Sequence, residues 1–171
     1  MRKIAHLRDA DLLELSKDIF RRGKSIRFQA RGWSMRPFLR DGDFIVVSPI
    51  ENSSIKIGDV VFCITTENKI IVHRVIRKHE KDKDNRIIMF IKGDATFSSP
   101  EKVKIQNVLG KVVAVVKNGR KKRLDTKFYQ IIGLFFAVIS PFSRWIYPIG
   151  SIMKHRGRRL LGRYFKESVK S

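Results

Sequence analysis

Ser34, His73 and Asp94 are the residues of this chain whose types and settings could do chemistry. A serine hydroxyl attacks a carbonyl only when a base takes its proton, so it needs a His or Lys nearby and a turn that exposes its oxygen. Ser34 lies in Gly-Trp-Ser-Met-Arg-Pro, where Gly32 permits a tight backbone and Pro37 limits any following helix. Most loop serines merely bond the backbone, so Ser34 alone says little. His73 sits in KIIVHRVIRK, where alternation puts Ile71, His73 and Val75 on one strand face and Val72, Arg74 and Ile76 on the other. A lone histidine there is ordinarily a buried ring with satisfied nitrogens. Asp94, in Lys-Gly-Asp-Ala, is set equally to fix an imidazole tautomer or to bond its own turn.

The elements that must hold these residues are mostly strands. From Ser25 to Lys117 short β-branched runs (SIRFQA, DFIVVS, DVVFCIT, KIIVHRVIRK, RIIMFIK and GKVVAVVK) alternate with breaks rich in Gly, Asn, Asp, Ser and Pro. This predicts an all-β domain over 25–117, with the charged run at 77–86 as a solvated hairpin tip. Ahead of it, Leu12, Leu15, Ile19 and Phe20 recur at helical spacing, Asp9 or Asp11 can cap, and Gly23 can stop the helix. Residues 1–24 are therefore expected to form an amphipathic helix, most simply packed on the domain. Cys63 is the only cysteine, which rules out an intrachain disulfide, and its apolar run predicts burial.

Charge points to a polyanionic neighbour. The 171 residues carry 37 Lys and Arg against 16 Asp and Glu, a formal charge of +21. Residues 118–171 hold 13 basic and 2 acidic side chains, so this last third carries more net positive charge than the 117 residues before it. Nucleic acid and anionic lipid would both attract such a surface. The apolar run FYQIIGLFFAVISPF between RKKR and the tail KHRGRRLLGRYFK favours lipid, because a nucleic-acid tail gains nothing from it. The uncharged span 128–142 is shorter than the roughly 20 residues of a membrane-crossing helix. A re-entrant or interfacial helical hairpin, with Trp145 and Tyr147 near the headgroups, is the expectation, and a helix packed on the β domain is the competing one. The N-terminus lacks the continuous apolar core of a signal peptide or N-terminal anchor.

The ordered set GWSMRPFLRDGD, IKIGDVVF, IIVHRVI and IKGDA, within residues 26–117, resembles the signal peptidase I superfamily of serine peptidases. With a histidine in the base position it is similar to the Ser/His branch found in archaea and the endoplasmic reticulum. The resemblance implies a coiled β-sheet or partial barrel. It implies Ser34 as nucleophile, His73 as base and then acid, Asp94 as orienting carboxylate, and Gly32, Ser34 and Met35 at the oxyanion and substrate-binding edge. It implies no metal or cofactor, a precursor polypeptide as substrate, and attachment to the membrane, here through residues 118–171. Asp43 and Asp59 are read as turn-forming. The chain departs from the pattern in three places: Gly32 stands where many members carry a serine, no acidic pair follows Asp94 closely (Glu101 is the next carboxylate), and the apolar segment lies near the C-terminus. Two other readings compete: a self-cleaving regulator of the same fold, whose kind uses a lysine base, and a non-enzymatic basic binder.

Overall fold

A computed structural model describes residues 9–50, 55–67, 69–79, 87–117 and 119–139. It is mostly β, with eight antiparallel strands and two helices among those residues. The strands are β1 (Ile26–Gln29), β2 (Phe44–Pro49), β3 (Val60–Ile64), β4 (Ile70–His79), β5 (Ile88–Lys92), β6 (Glu101–Lys104), β7 (Val108–Lys117) and β8 (Arg120–Arg123). They form one sheet in the order β1-β2-β7-β3-β4-β5-β6, with β8 also on β7. Among the described residues the sheet does not close, since β1 and β6 remain its ends. Register shifts at Val46/Val47, Phe62/Cys63 and Val75/Arg77 let it coil.

Both faces of the sheet are covered, and this explains why β3 reads VVFCI instead of alternating. Val60 and Phe62 join Met35, Leu39, Ile45, Val47 and Val112 in one core. Val61 and Cys63 join Ile55, Val75, Met89, Ile91 and Val103 in the other. Helix α1 (Asp9–Arg21) closes the first core with Leu12, Ile19 and Phe20, as expected for an amphipathic lead-in. Cys63 is fully buried, and its thiol is pushed up to about 12 by desolvation and by the charge of Glu101.

The two earlier Gly-Asp turns share one device. Asp43 accepts from the Arg40 amide at 2.8 Å and pairs with Lys117 at 3.1 Å. Asp59 accepts from the Lys56 amide at 2.7 Å and pairs with Lys111 at 2.8 Å. Each carboxylate thus closes its own turn and ties it to a lysine of β7.

The described residues, which end at Ile139, fall in one compact unit. RKKR is β8, paired to β7 through Ala114–Lys117 with all four of its side chains exposed. The apolar run begins as helix α2 (Lys127–Ile139), which packs on β4. Gly133 and Ala137 are its buried face. Phe128, Ile131, Leu134, Phe135 and Val138 are exposed. Among the described residues no helix is long and apolar enough to cross a membrane. The second apolar piece with Trp145 and Tyr147, the basic tail, the first eight residues and the hairpin tip at 80–86 lie outside the described residues.

Candidate active site

His73 is on β4, paired with Val61 of β3, and is 9 % exposed. Its neighbour Arg74 points to the opposite face, as the alternation of β4 requires. Burial lowers the imidazole pKa below its ordinary value, with the negative charge of Asp94 partly offsetting that. Among the described residues Nδ1 is buried without a hydrogen-bond partner, and Glu101 Oε1 lies 4.0 Å from it.

Ser34 meets this strand through a glycine. Arg74 pairs with Lys92, so the next residue, Gly93, stands across the ladder from His73. A Cβ on Gly93 would lie 2.6 Å from the Ser34 carbonyl oxygen and 2.9 Å from the Ser34 Cβ. Only hydrogen in that position lets the serine turn approach so closely. The Ala95 amide donates to the Ser34 carbonyl at 2.8 Å, fixing the approach. The serine turn and the turn after β5 are thereby one packed unit, one residue past the Arg74–Lys92 pair of the ladder.

Asp94 is committed elsewhere. Arg74 Nε donates to its Oδ1 at 2.8 Å and Nη2 to its Oδ2 at 2.7 Å. The two side chains are 1 % and 0 % exposed. Arg74 Nη1 also donates to the Gly58 carbonyl at 2.7 Å, and its guanidinium lies 4.5 Å from the Phe38 ring and 5.3 Å from that of Phe136 in α2. Burial pushes the Asp94 carboxyl up, and its bonds to Arg74 pull it back. The carboxylate expected to fix the imidazole is thus bonded at both oxygens to an arginine on the other face of β4, and acts on His73 through its charge alone.

The remaining sequence candidates occupy different settings. The Gly32 amide donates to Asp41 Oδ1 at 2.8 Å, so it is engaged in holding the loop. Met35 is buried in the first core, and its side chain anchors the serine turn from below. The hydrogen bonds of that turn run from the Arg36 amide to Trp33 O and from the Leu39 amide to Met35 O, leaving the Ser34 amide outside them. Sequence reasoning passed over Trp33, exposed beside Ser34 under the Arg36 guanidinium at 3.4 Å. It also passed over Arg74, although a charge in an apolar strand demands a buried partner.

Residues 3–113 match the family described as Peptidase S24-like. The chain belongs to this family. Its members include serine peptidases and self-cleaving regulators, and it stands within the signal peptidase I superfamily. No curated protein matches the chain. The match spans the serine turn, the His73 strand and the Asp94 turn, and ends before α2 and its Phe136.

Proposed function

We propose that this S24-like chain is a serine endopeptidase of the Ser/His kind that cleaves a signal-like or leader segment of a precursor polypeptide at a membrane surface. The observation that carries the reading is the packing of Ser34 on Gly93, across the β4–β5 ladder from His73. His73 takes the Ser34 proton as Oγ attacks the scissile carbonyl, then returns it to the leaving amine. Water, deprotonated by the same imidazole, releases the acyl group and regenerates Ser34. The Ser34 amide is an oxyanion donor, a contribution worth about 3 kcal/mol of barrier in comparable sites. A lysine base is the family alternative, and Lys92 is the buried lysine nearest this turn. It pairs with Arg74 across the ladder and so belongs to the Arg74 face, which favours His73.

Membrane association rests on α2 and β8. The apolar residues that α2 leaves exposed follow directly on the four exposed basic side chains of β8, the combination that binds an anionic bilayer surface. Purified chain incubated with a precursor on vesicles tests the whole reading. A single cut after a small residue, lost in Ser34→Ala, is expected; an unchanged precursor or a cut that survives Ser34→Ala overturns it. Family membership favours a second reading, self-cleavage, which would show as discrete fragments from the intact chain alone.

A further inference from the structure

We infer that Glu101, and not Asp94, is the positioning carboxylate of His73, reaching Nδ1 by a side-chain rotation from its 4.0 Å standoff. The inference rests on the Ser34/His73 reading for its catalytic meaning, though not for its geometry. Three observations converge on it. Both oxygens of Asp94 are occupied by Arg74 on the opposite face of β4. Among the described residues His73 Nδ1 is buried and has no partner, and a buried ring nitrogen is ordinarily bonded. Glu101 lies on the correct face: Val75 pairs with Ile91 and Ile91 with Glu101, one lateral row beside His73.

The chemistry follows from which nitrogen holds the proton. A carboxylate on Nδ1 holds the proton there, leaves the Nε2 lone pair for the serine, and stabilises the imidazolium that forms. At 4.0 Å the contact is an ion-pair distance and longer than a hydrogen bond. The Glu101 side chain is 47 % exposed, so it is free to rotate, and solvent screens its charge when it is withdrawn. Among the described residues, the charged and titratable groups around His73 are Glu101 and Cys63 on its own face, Arg74 on the other, and Asp94 in the turn after β5. Among them Glu101 is the carboxylate with oxygens not held by a guanidinium. Glu101 also lines a cleft of about 600 Å³ with Ile64, Thr65, Ile88, Val103 and Asn107, so polypeptide bound there would touch the residue that sets the base.

The test follows the His73 imidazole by NMR through a pH titration in the Ser34→Ala background, where no turnover is needed. In that background Glu101→Gln is expected to lower the His73 pKa and shift the tautomer balance away from Nδ1–H, while Glu101→Asp restores part of the effect. In the active chain Glu101→Gln is expected to cut kcat/KM roughly tenfold and to move the acidic limb of the pH profile with an unchanged melting temperature, a part of the 10²–10⁴ that a general base supplies. A His73 titration left unchanged by Glu101→Gln overturns the inference. Failure of the catalytic reading looks different: His73→Ala would retain activity whatever the titration shows.

Discussion

Arg74 and Asp94 form a two-point ion pair with side chains 1 % and 0 % exposed, and that pair joins helix α2 to the turn that receives the serine. The guanidinium is covered by Phe38 and by Phe136 of α2 and tied to Gly58, while the carboxylate belongs to the turn packed on Ser34. Removing one member leaves an uncompensated buried charge. Asp94→Asn or Arg74→Leu is expected to destabilise the fold by about 3–5 kcal/mol, read as a lower denaturation midpoint. The double variant should cost less than the two single changes combined, because no charge is stranded.

Gly93 supplies the second prediction. A methyl group there overlaps the Ser34 backbone, which cannot rotate away as a side-chain tip would. Gly93→Ala is expected to cost about 1–3 kcal/mol of stability and, by displacing Ser34, the proposed nucleophile, about 10²-fold in kcat. Kinetics at saturating peptide substrate check this. Wild-type turnover in Gly93→Ala would show that Ser34 does not work in this position.

The third concerns pH. Burial depresses the His73 pKa, so the folded protein binds a proton here less readily than the unfolded chain. Activity should rise with pH through a value below the ordinary 6.5, because the base works only when neutral. The same group adds stability that is complete above the unfolded pKa and lost as pH falls through the folded one. Paired melts of wild type and His73→Gln across pH 4–8 test the stability arm. The difference between them should shrink or reverse only on the acid side.

The fourth concerns the apolar face of α2. Phe128→Ser with Ile131→Ser alters side chains that are exposed, so the melting temperature should stay within a few degrees. Flotation on anionic vesicles should fall sharply, and wild-type flotation should weaken with salt. Unchanged flotation would remove α2 from the membrane reading. Gly133→Val is the contrasting change: Gly133 faces the Gly58 carbonyl at backbone distance, so it should unseat the helix and lower stability.

Much of this arrangement is legible in the sequence because it depends on period-two alternation. KIIVHRVIRK places His73 and Arg74 on opposite faces, and the structure keeps them there. The same alternation makes Arg74 a buried charge in search of an acid, and Asp94 is the acid it finds. Other features left no pattern to read. RKKR is a strand held by backbone pairing to β7 with every side chain in solvent, so hydrophobicity carries no trace of it. The approach of Glu101 to His73 is set by the β5–β6 register, a tertiary fact invisible in the seven-residue spacing from Asp94. The docking of α2 turns on two glycines 75 positions apart, Gly58 with φ +93° and Gly133, whose missing side chains let backbone meet backbone.

The proposal that Ser34 and His73 act as one catalytic pair is decided by the hydrolysis of a fluorogenic small-residue peptide by wild type, Ser34→Ala, His73→Ala and the double variant. Each single change is expected to lower kcat by about 10⁴-fold or more, with the double variant no worse than either, because residues acting as a unit are not additive. Activity persisting near the wild-type level in both Ser34→Ala and His73→Ala would contradict it.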